Sequence, residues 1–300
     1  MMHKRRNRSA FTLTEILVVI AIIGILAALA SWGVFAMIGN RQRSNTEATI
    51  RTLNKMLQTR WGAVIKDADG EAPSPQVQAL AGGPSLDPTG KRAKVIWRKV
   101  RLAEAFPMAY NEMNPLNGNS IYNLYIGPGR GKGYFTKYRE ITKGSGYPVT
   151  PAATESAACL LMALKTQISD VNIEDQLGYA IADTDGDGIK EFVDGFGKPL
   201  AFTRFPTGGA VQAANPANAG SANAKYADPI DNTGMLLNNN WYNFGAPTYP
   251  LRTTFEAQFH PIRDASGNAF YTVPAIVSAG KDGNFGTATD NLFSFQLRGE

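Results

Sequence analysis

Apolar and polar positions divide the amino-terminal part of the chain into segments of different character. Residues 1–10 are basic and contain no acid, whereas residues 16–38 contain no charged side chain. A helix over 16–38 would be roughly 35 Å long at about 1.5 Å per residue, enough to cross a hydrocarbon layer of about 30 Å. We therefore predict a single membrane-spanning helix at about 16–38, with the basic flank in the cytoplasm and the carboxyl-terminal part outside it.

The pattern becomes amphipathic after Asn40. Large apolar residues recur at spacings of 3, 4, 4 and 3, the period of one helical face. They are Ile50, Leu53, Leu57, Trp61 and Val64. Acidic residues and a glycine at 67–70, followed by prolines, are typical of a helix end. We predict one long helix over 11–65 that leaves the membrane and enters a globular head.

Residues 66–300 are predicted to form this head, which lies outside the cytoplasm. The expected fold class is α+β, with the long helix packed on a head that has a small antiparallel sheet and large loop insertions. Helices are predicted at 91–112 and 151–167. Short runs rich in β-branched and aromatic residues predict strands at 192–193, 199–202, 269–273 and 291–295.

Two segments predict loops rather than packed elements. Residues 66–90 are rich in Pro, Gly, Ala and Ser and are typical of a linker. Residues 207–240 are dense in Ala, Asn and Gly, so we expect a surface excursion that buries little. The basic residues of 91–112 are expected to form the solvated face of a helix.

Charge and composition narrow the function classes. Lys4, Arg5, Arg6 and Arg8 supply four of the five net positive charges, and the remaining chain has 26 basic and 25 acidic residues. Such a near-neutral body does not predict a nucleic-acid partner. The single cysteine, Cys159, excludes a disulfide framework within one chain. Because the chain has only two histidines, little room remains for histidine-based catalysis, and we expect no enzymatic activity.

Three interpretations of the amino terminus compete. A secretory signal peptide has a small-x-small cleavage site at 28–30, but the apolar run continues past it to Ile38. A plain signal anchor explains the length of the run but gives no role to Glu15, an acid at its edge. A carboxylate at the centre of a lone membrane helix costs about 2.5–3.5 kcal/mol, and less near the interface, so Glu15 needs a partner.

The third interpretation rests on Ala10-Phe11-Thr12-Leu13-Thr14-Glu15 followed by an unbroken apolar helix. This junction resembles the class III leader of type IV pilins and type II secretion pseudopilins. The resemblance implies that prepilin peptidase cleaves between Ala10 and Phe11 and methylates the new amine of Phe11. Family members usually have Gly before the cut, and we expect Ala10 to slow cleavage.

Cleavage at this position would place an ammonium on Phe11, one helical turn from Glu15. In a bundle of parallel helices, the ammonium of one subunit can approach Glu15 of its neighbour. Each charge then neutralises the other at low dielectric constant, which sets the axial register. We hypothesise that Glu15 is an assembly residue; the alternative is a charge that simply lies at the membrane interface.

The sharpest chemical motif lies at 183–194. Carboxylates occupy positions 1, 3, 5, 9 and 12 of an EF-hand-type loop, with Gly188 at position 6. The candidate calcium ligands are Asp183, Asp185, Asp187, Glu191 and Asp194. Because strand-like residues follow, we expect a calcium loop without EF-hand helices; the alternative is an Asp/Gly turn between two elements.

The carboxyl-terminal half carries a second, shorter resemblance. The segments 194–199 (DGFGKP) and 277–291 (VSAGKDGNFGTATDN) resemble the corresponding part of major type II pseudopilins, where a glycine-rich loop holds calcium. By that resemblance Ser278, Asp282 and Asp290 are candidate ligands. The alternative is a glycine-rich hairpin turn.

Together the two resemblances imply a pseudopilin. It would be a single-pass inner-membrane protein that contacts lipid and joins other pilin-like subunits in a periplasmic filament that assists protein export. One alternative is a type IV pilin for adhesion, motility or DNA uptake. Another, different in kind, is a membrane-anchored calcium-dependent binding protein or enzyme.

Overall fold

The computed structural model describes residues 13–113, 124–125, 152–167, 173–208, 228–238, 241, 250–263, 269–286 and 290–297. Side chains at 30–36 and at a few helix ends are also outside the description. The predicted cleavage junction of Ala10 and Phe11, and most of the Tyr- and Gly-rich stretch at 115–150, therefore lie outside the described residues. Within the described part the fold is α+β, as predicted.

One long helix, α1, runs from Leu13 to Gly70 over 58 residues. The predicted face is confirmed, because its five large apolar side chains are at most 6% exposed. The helix ends one turn later than the predicted Ile65, because Asp67 and Asp69 continue the helix and the chain turns only at Gly70 and Glu71. Among the described residues, no helix has the length and apolarity of a membrane-spanning segment. The crossing at 16–38 stays a prediction.

Shorter helices follow α1 in the described part of the chain. They are α2 (Pro75–Leu80), α3 (Gly83–Leu86), α4 (Lys91–Ala105), α5 (Ala152–Gln167), α6 (Ile173–Leu177) and α7 (Pro250–Gln258). The predicted loop at 66–90 is wrong where α2 and α3 form. Ser74 caps α2 by accepting a hydrogen bond from the Val77 amide, and Pro75 suits the first helical position.

The core lies between α1, α4 and α5. Trp61 of α1 contacts Phe106 just after α4, with ring centroids 5.3 Å apart, and the edge of Phe205 at 6.1 Å. Helix α5 is buried along most of its length and includes Cys159, which is fully buried. Burial raises the pKa of the Cys159 thiol well above its ordinary value, so this cysteine is an unreactive core residue.

Helix α4 corrects the expectation of a solvated basic face, because Arg92 and Lys99 are buried. Arg92 donates hydrogen bonds to three main-chain carbonyls, those of Ala81, Leu86 and Met235. The Lys99 ammonium lies 2.6 Å from the carboxylate of Asp228. These two cations therefore hold other segments of the head.

Residues 207–240 were expected to form a surface loop that buries little, and this expectation is wrong for 228–238. It buries Ile230 and Leu236, and Asp231 accepts hydrogen bonds from the amides of Met235 and Leu236. A segment with few large apolar residues can still be part of the core when its acidic side chains pair with buried cations, as Asp228 does with Lys99.

In the part of the chain that the structure describes, the strands form two small antiparallel sheets. In the first, β1 (Ile181–Ala182) pairs with β2 (Glu191–Phe192). In the second, the order is β3 (Ala201–Thr203), β4 (Ala275–Ser278) and β5 (Leu292–Phe293). The strand predicted at 269–273 is wrong: among the described residues Ala269 makes only an isolated bridge to Arg263, and the strand starts after Pro274, which has no amide hydrogen to donate.

Candidate functional site

The amino-terminal half of α1 presents apolar side chains outward. From Leu13 to Leu29, its large apolar residues are between 51% and 81% exposed. Glu15 lies in the first turn of this helix and is also exposed. The predicted pair between Glu15 and the Phe11 amine of a neighbour stays a prediction, since Phe11 lies outside the described residues.

The acidic loop connects β1 to β2 and has its carboxylates gathered on one side. Asp183, Asp185, Asp187 and Glu191 each offer one oxygen, and these oxygens all lie within 4.8 Å of one another. The pairing of Ala182 with Glu191 places the fourth acid beside the start of the loop. Four of the five predicted ligands are therefore brought together.

Glycines and the aspartates themselves shape this loop. Gly186 and Gly188 have φ of +78° and +87°, values that side chains with a Cβ rarely adopt. The Asp183 carboxylate accepts hydrogen bonds from both of their amides, at 2.7 and 3.0 Å. The chain is thus wrapped around the carboxylates.

Glu191 is the buried member of the cluster. Its Oε2 accepts hydrogen bonds from the Thr184 amide at 2.9 Å and from the Thr184 hydroxyl at 3.1 Å, whereas Oε1 has no hydrogen-bond partner among the described residues. Burial, and then repulsion from Asp185 and Asp187, raise the pKa of Glu191 to about 7, although the Thr184 hydrogen bonds act in the opposite direction. Four such carboxylates are the oxygen donors that a hard cation such as Ca²⁺ uses.

Thr154 ties the loop to the first turn of α5. Its hydroxyl donates a hydrogen bond to Asp185 Oδ2 at 2.9 Å. Sequence reasoning missed Thr154, because the contact joins positions 31 residues apart and no local pattern marks it.

Asp194 was expected as a fifth ligand, and the structure corrects this. Strand β2 carries the chain away from the loop, and Asp194 lies in the next turn. There its Oδ1 accepts hydrogen bonds from the amides of Phe196 and Lys198, both at 2.9 Å. Its Oδ2 accepts a hydrogen bond from the buried hydroxyl of Ser278 at 2.6 Å. This hydrogen bond joins Asp194, a candidate of the first predicted metal site, to Ser278, a candidate of the second.

The turn that holds Asp194 also packs on α1. The Gly195 amide donates to the Thr46 hydroxyl at 2.9 Å, and that hydroxyl donates to the Gln42 carbonyl. A Cβ at Gly195 would collide with the Gln42 carbonyl oxygen. We refer to Thr46, Gly195, Asp194 and Ser278 as the α1 joint, because they connect the long helix to the second sheet.

The second metal candidate has a different arrangement from the first. The Ser278 hydroxyl donates a hydrogen bond to Asp194 and accepts one from the Gly280 amide. Asp290 accepts from the amides of Lys281 and Asp282, and Asp282 accepts from the amide of Asn284. These contacts cap turns, and a calcium ion at these residues stays a prediction.

The comparisons with known proteins bear on the amino terminus. A family model described as the prokaryotic N-terminal methylation motif matches residues 5–31. No curated protein and no solved structure matches the chain. The matched segment contains Ala10, Phe11 and Glu15 and continues into the exposed apolar part of α1. The chain therefore has the amino terminus of a prepilin-type, type IV pilin-like protein, which implies processing by prepilin peptidase and assembly with other pilin subunits.

Proposed function

We propose that this chain is a pseudopilin, a structural subunit of a periplasmic, type II secretion-like filament that assists protein export. The observation that carries the proposal is the continuity of two features. The methylation motif at 5–31 overlaps the start of α1. The first half of this helix exposes apolar side chains, and its second half packs in the core of the head.

The first half of α1 suits storage in the inner membrane and packing in a filament. Its exposed apolar side chains gain free energy when lipid or neighbouring helices cover them. Glu15 lies at the start of this surface, where the processed amine of a neighbour would neutralise it. The ion pair then selects one axial stagger between subunits, because any other stagger leaves a carboxylate without its cation in an apolar environment.

The α1 joint supports a pseudopilin rather than another pilin-like subunit. The turn at 194–199 is the segment that resembles major pseudopilins. It is built around Asp194, which accepts hydrogen bonds from two amides of the turn and from Ser278 of the sheet. Through Gly195 the same turn contacts Thr46 of α1, so the turn connects the long helix to the sheet.

We propose a structural role for the head instead of catalysis. His260, the only histidine after the first ten residues, is 5% exposed and packs against Phe205 and Phe255. Burial, and then the charge of Lys99, lower the pKa of His260 to about 3. A neutral imidazole shut inside an aromatic cluster suits packing and not proton transfer at neutral pH.

A complementation experiment tests the proposal. A deletion strain would carry the wild-type gene, Glu15→Ala or the neighbouring control Thr14→Ala, and release of folded exoproteins would be measured. We expect wild type and Thr14→Ala to restore release, and Glu15→Ala to accumulate in the membrane without restoring it.

One outcome would contradict the assembly role of Glu15, and another would contradict the pseudopilin function. Full restoration by Glu15→Ala would show that the carboxylate has no assembly role. Normal export in the deletion strain, together with loss of surface fibres, would identify a type IV pilin instead.

A further inference from the structure

The acidic loop between β1 and β2 has a property that filament assembly does not require. Acidic clusters at protein surfaces are common without any ligand, and the exposed Asp183 and Asp185 alone would not mark a site. Glu191 is different, because it is fully buried and lies with its carboxylate among the other three.

The two oxygens of Glu191 have different surroundings. Thr184 provides both hydrogen-bond donors to Oε2. Oε1 is buried and accepts no hydrogen bond in the described part of the chain. A buried carboxylate oxygen without a donor is costly, so a ligand from outside the described part of the chain would stabilise Oε1. The neighbouring carboxylates exclude an anion and favour a cation.

We propose that residues 183–191 bind one Ca²⁺ ion through carboxylate oxygens of Asp183, Asp185, Asp187 and Glu191, with water among the remaining ligands. Ca²⁺ takes six to eight oxygens in irregular arrangements, whereas Mg²⁺ requires a near-octahedral set and keeps much of its water. Four carboxylates on a glycine-containing loop therefore suit Ca²⁺ better.

The site differs from an EF-hand in the ligand that closes it. In an EF-hand the bidentate acid is at position 12, which is Asp194 here, and Asp194 instead belongs to the α1 joint. Glu191, at position 9, takes that place because the pairing of β1 with β2 brings it back to the start of the loop. Strand pairing replaces the second helix.

The ion would also fasten the loop to the core. Asp185 binds the ion in this scheme and accepts the Thr154 hydroxyl in the first turn of α5. Calcium should therefore slow amide hydrogen exchange in β1, β2 and the amino-terminal turn of α5, with little effect on α7.

The site can be tested on the full chain in detergent micelles, without any filament. After chelator treatment, CaCl₂ is titrated by calorimetry into wild type, Glu191→Gln, Asp183→Asn and the control Asp175→Asn. Asp175 is an exposed acid of α6 outside the loop. Asp282→Asn tests the carboxyl-terminal candidate, and thermal unfolding without calcium verifies that each variant is folded.

We expect one site with a Kd of about 0.1–1 mM, the range of calcium modules outside the cytoplasm. Glu191→Gln and Asp183→Asn should each weaken binding by about tenfold or more, because each removes a charged ligand. Asp175→Asn and Asp282→Asn should bind as wild type does. Since the readout is binding, failure of this proposal is distinguishable from failure of the proposed filament function.

Three results would overturn the proposal. One is the absence of saturable binding up to about 10 mM CaCl₂, well above the affinity range expected for such sites. Another is unchanged affinity in both Glu191→Gln and Asp183→Asn. The third is loss of binding in Asp282→Asn alone, which would place the ion in the carboxyl-terminal loop.

Discussion

The two halves of α1 have the same helical backbone but opposite surroundings. Leu17, in the first half, is 57% exposed, whereas Leu57, in the second half, is fully buried. Both are leucines in the middle of a helix, so helical propensity does not distinguish them. What differs is the pattern, which is apolar on all sides in the first half and on one stripe in the second.

This contrast shows that one helix can carry two separate interactions. The stripe from Ile50 to Val64 is satisfied within the chain by α4, α5 and the aromatic side chains around Trp61. The apolar surface from Leu13 to Leu29 is exposed in the single chain and requires lipid or other subunits to cover it. Stability and assembly should therefore respond to different substitutions.

The largest expected effect is the difference in the free energy of unfolding between alanine substitutions of Leu57 and Leu17. Leu57→Ala should lower the free energy of unfolding by about 2–5 kcal/mol, because it removes buried methyl groups and leaves a cavity. Leu17→Ala should change it by no more than about 0.5 kcal/mol. Urea unfolding of both variants in detergent, followed by tryptophan fluorescence, measures the difference. Equal losses would mean that the first half also packs within the chain.

The α1 joint gives the next largest effect. Gly195→Ala should destabilise the protein by about 1–3 kcal/mol, because the added Cβ collides with the Gln42 carbonyl oxygen and forces the turn away from α1. Gly178→Ala is the control, since a Cβ there meets nothing within 4 Å. The same unfolding measurement applies. Similar stability of the two variants would show that the turn does not pack closely on α1.

The smallest effect concerns pH and His260. In the folded state this imidazole is neutral down to about pH 3, whereas in the unfolded chain it takes up a proton below about pH 6.5. The unfolded state then binds more protons, so the free energy of unfolding falls as the pH drops through this window, by at most about 1.4 kcal/mol per pH unit. His260→Phe should remove this contribution.

Unfolding at pH 7 and pH 5 measures the effect. Asp231 and Glu191, whose raised pKa values are about 6 and 7, act in the opposite sense because they bind protons in the folded state. They are present in both proteins, so the difference between wild type and His260→Phe reports His260. An identical pH dependence in the two proteins would contradict the burial of a neutral imidazole.

Local patterns predicted those parts of the molecule that local geometry determines. The buried stripe of α1 follows from the helical period, and Asp183, Asp185, Asp187 and Glu191 meet because all four lie within nine consecutive residues of one hairpin. Their gathering could therefore be predicted from spacing alone.

Contacts between distant segments could not be predicted in this way. Lys99 pairs with Asp228 across 129 positions, and Ser278 donates to Asp194 across 84. One signal was available for the buried Lys99: Arg92 and Lys99 are seven residues apart, on the same helical face as Ile96 and Ala103. A cation on an apolar face predicts a buried partner but does not identify it. Asp194 was misassigned for the same reason, since its partner comes from another part of the chain.

The amino terminus of the mature protein tests the central claim most directly, because the assembly role of α1 depends on an amine at Phe11. We predict that intact mass and amino-terminal sequencing of the membrane-extracted protein show a chain beginning at N-methyl-Phe11. A chain that retains the basic residues Lys4 to Arg8, or one that begins at Ser31 after the apolar segment, would contradict it.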